Sequence, residues 1–142
     1  MAFLWPSAQS SDLDMIFRNL IDNAFKYSGS RPELRITSRV EGDWVVSSVI
    51  DNGRGVPSRF RRKIFRRFVR LGLELERDKL GTGLGLYIVR TLVKRLKGRV
   101  RVQDRDDGPG TVFEVRLPGR AATAQDKATR GQEPVVEPAD VA

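Results

Sequence analysis

The 142-residue sequence contains no cysteine. It therefore has no disulfide framework, no thiol nucleophile and no thiolate metal site. It contains no histidine either, which excludes Ser-His-Asp chemistry, histidine-ligated zinc and the commonest general base. No apolar run approaches the roughly 20 residues of a membrane-spanning helix. Met1–Ser11 lacks the basic start and long apolar stretch of a signal peptide. Together with the missing cysteines, this accords with a cytoplasmic location. What the chain has in excess is positive charge: 26 Lys and Arg against 18 Asp and Glu, a net +8. Such a balance points to an anionic partner, whether nucleic acid, a membrane surface or nucleotide phosphate.

The length predicts about one domain, large enough to bury a core without staples. From Gly119 to Ala142 the composition turns to Ala, Thr, Gln, Glu and Pro, with almost no large apolar residues. Such a segment cannot bury enough surface to offset its chain entropy. We therefore expect a folded domain over residues 1–118 and a disordered tail over 119–142. The tail carries a net −1, which leaves +9 in the folded part.

Within that part, Leu13, Ile16, Phe17, Leu20, Ile21 and Ala24 recur at helical spacing and predict a helix over Ser11–Tyr27. Two alternating runs, Leu34–Val40 and Trp44–Ile50, flank a Glu41-Gly42-Asp43 turn and read as a hairpin. Ser58–Phe68 reads as a short basic helix, and Val69–Thr82 as a loop. Leu84–Lys97 reads as a second long helix with Gly98 as its stop. A second hairpin carries Val100 and Val102 on one strand and Phe113, Val115 and Leu117 on the other, with a turn over Asp106–Gly110. Helices segregated from hairpins predict an α+β fold: a two-layer sandwich with a mixed, mainly antiparallel sheet and helices on one face.

Four constellations could carry chemistry. Asn19 and Asn23 share a face of the first helix, with Lys26 and Tyr27 following at its rim. An amide oxygen can ligate Mg²⁺, a lysine can meet phosphate and a tyrosine face can pack on a base. Taken alone, the pattern is equally that of two solvated asparagines at an ordinary helix end. The run DNGRGVP, Asp51–Pro57, places a carboxylate at a strand end beside glycines that admit close approach. It suits an acceptor for an amino group, and also an ordinary turn. The run GTGLGL, Gly81–Leu86, leads into the second long helix and exposes backbone N–H groups at a helix N-terminus. It has neither the dinucleotide fingerprint nor the Walker A spacing. A basic stretch, Arg61–Arg70, carries Ile64, Phe65 and Phe68 as its apolar stripe.

In this order, NLIDNAFKY, DNGRGVP, IFRRF and GTGLGL resemble the N, G1, F and G2 boxes of the ATP-binding catalytic domain of sensor histidine kinases. That domain shares the Bergerat ATP-binding fold with DNA gyrase, the heat-shock chaperone ATPase and MutL. The resemblance covers Leu13 to Leu117.

It implies that Asn23 ligates a Mg²⁺ ion bridging the phosphates of ATP. Asn19 would lie one turn earlier, towards the phosphates, Lys26 would contact phosphate, and Tyr27 would line the adenine pocket. Asp51 would accept a hydrogen bond from the adenine amine, with Gly53 and Gly55 shaping the pocket floor. Phe65 and Phe68 would anchor the start of a lid over Val69–Leu80. Gly81, Thr82, Gly83, Leu84 and Gly85 would hinge that lid and bring N–H groups to phosphate. Hydrolysing members of the superfamily carry a glutamate four residues before the metal-binding asparagine; here that position is Asn19, an amide that cannot act as a general base.

The resemblance thus implies transfer of the γ-phosphoryl group to a histidine on a separate dimerisation domain, with a response regulator downstream. Chemistry would rest on positioning and charge neutralisation. The family's phosphoacceptor histidine lies upstream, in a domain this sequence does not include. The isolated domain is expected to be monomeric. A nucleotide-binding regulatory module without kinase activity is the alternative. Nucleic acid is not expected as a partner, since the basic residues lack interleaved aromatics.

Overall fold

The computed structural model describes residues 3–4, 10–67 and 83–121. Expectations for the lid, for Phe68, Gly81 and Thr82, and for the tail beyond Ala121 lie outside the described residues. The first long helix, α1, spans Ser10–Tyr27, with Asp12 in its first turn and Lys26 in its last, each suited to its end of the helix dipole. It follows a two-residue strand, β1 (Phe3–Leu4). Strands β2 (Leu34–Glu41) and β3 (Trp44–Asp51) form the first hairpin. Helix α2 (Gly85–Arg95) precedes strands β4 (Arg99–Asp104) and β5 (Thr111–Pro118). A two-residue strand β6 (Arg120–Ala121) pairs antiparallel with β1. The tail expected to begin at Gly119 thus contributes its first residues to a strand pair.

The main sheet runs in the order β2-β3-β5-β4, and every pairing in it is antiparallel. The parallel component of the expected mixed sheet is absent from the described residues. Both helices cover one face. Ile16, Leu20 and Ala24 of α1 and Val89, Leu92 and Val93 of α2 pack on Val49, Val102, Phe113, Val115 and Leu117. This is the expected two-layer α+β sandwich. Its layers arise because each helix has one apolar stripe, and the sheet offers one apolar face.

Two expectations are corrected. The described part of the expected helix Ser58–Phe68, which ends at Arg67, is not one helix: it holds two separate 3-10 turns, Ser58–Phe60 and Lys63–Phe65. A continuous helix would stack Arg59 over Lys63, Arg62 over Arg66 and Lys63 over Arg67, like charges at i,i+4 spacing. The broken path instead sends Ile64 and Phe65 into the core. It also lets the Arg61 guanidinium reach Asp104 at 2.6 Å and the Val56 carbonyl at 3.2 Å.

Helix α2 ends at Arg95, earlier than Lys97, and its left-handed terminal residue is Lys97, at φ 60°, rather than Gly98. Lys97 N–H donates to the Lys94 carbonyl and Gly98 N–H to the Val93 carbonyl, closing a Schellman motif. Gly98 is needed for a different reason. A Cβ there would stand 2.3 Å from the Arg116 carbonyl oxygen, so the helix exit lies directly against β5.

Candidate functional site

Asp51 is the last residue of β3, paired across the sheet with Thr111, the first of β5. Its side chain points to the helix-covered face and is 3% exposed. One carboxylate oxygen, Oδ1, accepts the Gly53 N–H at 2.8 Å and the Thr111 N–H at 3.3 Å. The other oxygen, Oδ2, has no hydrogen-bond partner among the described residues. Burial pushes the Asp51 pKa up; the Gly53 and Thr111 N–H groups and the Arg105 charge oppose that rise. A buried acceptor with one bare oxygen is a group built to receive a donor.

Gly53 is buried against the C-terminus of α1: a Cβ there would lie 2.6 Å from the Tyr27 carbonyl oxygen. No other residue type fits that approach. The next residue, Arg54, holds its guanidinium 5.2 Å from the Tyr27 ring centroid. Gly55, at φ 77°, turns the chain away. Tyr27 and the DNGRG motif therefore share one wall.

The middle of α1 meets the second glycine motif. Asn19 donates through Nδ2 to the Met15 carbonyl at 2.8 Å, which fixes its amide plane. Its Oδ1 sits 3.1 Å from where a Cβ of Gly85 would be. Gly83, at φ 72°, and Leu84, the N-cap of α2, complete the turn into that helix. Asn23 lies between, one turn from Asn19 and one from Tyr27. It is half-buried, and its amide has no hydrogen-bond partner among the described residues. Lys26 is exposed on the same flank of α1. Phe65 is buried beneath, edge-on to Phe113 with ring centroids 6.4 Å apart. The structure thus brings Asn19, Asn23, Lys26, Tyr27, Asp51, Gly53, Gly55, Gly83, Leu84 and Gly85 along the C-terminal half of α1.

Three contributors are missing from the reading of the sequence. The Thr111 N–H reaches Asp51 from sixty residues away, and only sheet register could reveal it. Arg54 stacks on Tyr27 across a loop. Asn52 grips the segment after α1 through both atoms of its amide; its place in an Asp-Asn-Gly turn conceals that role.

Part of the positive charge lies away from this site. Register places Arg35, Arg39, Arg99, Arg101 and Arg116 on the sheet face away from the helices. There Arg101 pairs with Glu114 at 2.9 Å, and Arg39 and Arg116 pair with Glu41 at 2.8 Å each. These guanidiniums lie on the far side of the sheet from Asp51.

The family described as histidine kinase-, DNA gyrase B-, and HSP90-like ATPase matches residues 8–121. A signal transduction histidine-protein kinase/phosphatase MprB from Mycobacterium sp. strain KMS is 44% identical over 112 residues, covering 74% of this chain and 21% of the relative. The histidine kinase P4 of Formosa agariphila is 32% identical over 111 residues, covering 76% of this chain and 8% of the relative. The chain therefore spans less than a quarter of the length of these curated relatives. Among solved structures, a mycobacterial sensor histidine kinase MprB superposes with a TM-score of 0.70 at 31% identity, covering 81% of this chain and 75% of that one. Full-length ShkA in complex with AMPPNP superposes with a TM-score of 0.68 at 32% identity, covering 82% and 23%.

Proposed function

Since this chain belongs to the family of histidine kinase-, DNA gyrase B- and HSP90-like ATPases, we propose that it is the ATP-binding catalytic part of a longer sensor histidine kinase. The observation that carries this reading is the Oδ2 of buried Asp51, unpartnered among the described residues, beside the Tyr27–Arg54 wall. A carboxylate already holding two N–H groups on one oxygen selects a ligand that brings a further donor, as the exocyclic amine of adenine does. Guanine presents a carbonyl at that place and would be repelled.

The phosphates would then extend along α1 towards Asn19. Lys26 supplies a cation on that flank, and the N-terminus of α2 beyond Gly83 supplies backbone N–H groups. The Asn23 amide, without a partner among the described residues, fits a Mg²⁺ ligand, since a hard cation takes a neutral oxygen donor. A bound Mg²⁺ ion would supply neutralisation of phosphate charge. Asn19 holds its place through the Met15 carbonyl and can orient a phosphate oxygen but cannot take a proton. Position 19, where hydrolysing relatives need a general base, offers only this amide, so hydrolysis is disfavoured. The acceptor imidazole comes from a histidine-bearing dimerisation domain. Its nitrogen bonds the γ-phosphorus as the bond to the ADP oxygen breaks, and a response regulator receives the phosphoryl group in turn. The site works where ATP is, on the cytoplasmic side.

The test has two stages. Calorimetry with AMPPNP is expected to show Mg²⁺-dependent binding that Asp51→Ala abolishes; unchanged binding by that variant would overturn the pocket. Incubation with radiolabelled ATP and the purified histidine-bearing domain is expected to label the latter. No transfer, with binding intact, would leave a nucleotide-binding regulatory module in place of a kinase.

A further inference from the structure

We propose that Asn52 is a positioning residue that sets the adenine side of the pocket and its preference for ATP over GTP; the proposal rests on the nucleotide reading above. The two walls of that side come from different elements. Asp51 belongs to β3, whereas Tyr27 is the last residue of α1. Between Tyr27 and β2 the chain crosses six residues, Ser28–Glu33, that belong to no helix or strand. Ser28 is tied back to the helix through the Ala24 carbonyl. Gly29 and Ser30 are exposed, and a Cβ at Gly29 would meet nothing within 4 Å. Packing therefore does little to hold this stretch.

Asn52 does hold it. Its Nδ2 donates to the Arg31 carbonyl at 2.9 Å, and its Oδ1 accepts the Glu33 N–H at 2.9 Å. One amide thus satisfies a donor and an acceptor two residues apart, as a neighbouring strand would. The last residue pair of the β2–β3 hairpin is Leu34 with Asp51. Glu33 and Asn52 are the next pair along, and the Asn52 side chain continues the ladder where the backbone leaves it. The segment is then pinned at both ends to three consecutive residues: Tyr27 against Gly53 and Arg54, and Arg31 and Glu33 against Asn52. Arg105 adds a longer contact to Glu33 at 3.6 Å.

The consequence is a fixed spacing between the Tyr27 ring and the Asp51 carboxylate. Binding a flat base between them requires that spacing beforehand, because ordering a loose segment on binding lowers affinity. The phosphate end, built on Asn19, Asn23 and Gly85, does not depend on it. Loss of Asn52 should therefore weaken recognition of the base and leave recognition of the triphosphate intact.

The experiment compares the dissociation constants of ATP and GTP, each with Mg²⁺, for the wild-type chain, Asn52→Ala and Asn52→Asp. The wild type is expected to prefer ATP. Asn52→Ala should lose about tenfold in ATP affinity, the scale of two net hydrogen bonds, with GTP affinity unchanged, so the preference collapses. Asn52→Asp keeps the acceptor for Glu33 N–H but loses the donor to Arg31, and should fall between. Equal losses for both nucleotides, or a fall in Tm with the preference intact, would reduce Asn52 to a structural residue and overturn the proposal. A wild type that binds GTP as well as ATP would overturn the nucleotide reading itself.

Discussion

Asn19 and Gly85 occupy one another's space: the Asn19 Oδ1 lies 3.1 Å from the point a Gly85 Cβ would take. The glycine that opens α2 is thus defined by a side chain of α1. Intrinsic helix preference favours alanine over glycine by about 1 kcal/mol. Gly85→Ala should therefore leave Tm unchanged or slightly raised, while it pushes the amide aside. Nucleotide affinity should fall severalfold. Differential scanning fluorimetry beside a binding titration separates the two effects, and unaltered affinity would refute a phosphate-side role for Asn19.

Asp51 is a carboxylate whose pKa lies above its ordinary value because it is buried. The folded state therefore holds its proton more tightly than the unfolded chain does. Stability from this group is full below the unfolded value of 3.8 and is lost as pH rises through the raised folded value. At neutral pH the buried charge weakens the free domain. The substitution Asp51→Asn should keep both backbone N–H bonds and raise Tm at pH 7, with no gain at pH 4. ATP affinity of the wild type should fall as pH drops through the raised pKa, since the base amine needs the ionised acceptor. Thermal scans and titrations at several pH values check both directions.

At the end of α2 two neighbouring substitutions should act oppositely. Lys97→Gly relieves a left-handed lysine and should stabilise by about 0.5–1 kcal/mol. Gly98→Ala drives a methyl into the Arg116 carbonyl and should cost several kcal/mol, on the order of other overpacking and backbone-strain effects. Urea unfolding of both variants is the measurement.

Asp12 in the first turn of α1 is ion-paired with Arg95 in the last turn of α2. Asp12 is buried and Arg95 mostly exposed, so the coupling should be modest. A double-mutant cycle of Asp12→Ala and Arg95→Ala should give about 1 kcal/mol, and less at high salt.

Chelation of Mg²⁺ should weaken nucleotide binding by the wild type. The same chelation should have little further effect on Asn23→Ala, measured by calorimetry with and without EDTA. Full Mg²⁺ dependence in that variant would remove Asn23 from the metal site.

Periodicity alone made α1, α2 and both hairpins legible. The burial of Ile16, Leu20 and Ala24, and of Phe113, Val115 and Leu117, follows the spacing of those residues. The candidate site was legible as composition: a strand-end carboxylate, two asparagines on one face, glycines before a helix. The Ser58–Phe68 stretch was misread because Ile64, Phe65 and Phe68 mimic a helical stripe, while the repulsion of its cations opposes continuous winding. The outward facing of Arg99 and Arg101 was not legible, because alternation tells which residues share a face, not which face meets the helices.

What the sequence determines by itself is what depends on near neighbours. Helical and strand periods, the hairpin turn at Gly42, the absence of histidine and cysteine chemistry, and an amide at position 19 all belong there. Tertiary structure alone decides that β3 lies beside β5, and so that the Thr111 N–H occupies one oxygen of Asp51 while the other has no partner among the described residues. It also decides that Asn52 closes the segment after α1 and that Lys97 takes the left-handed turn. Each of these turns on a contact whose partner is set by the packing of whole elements, a cooperative outcome that no short window of residues contains.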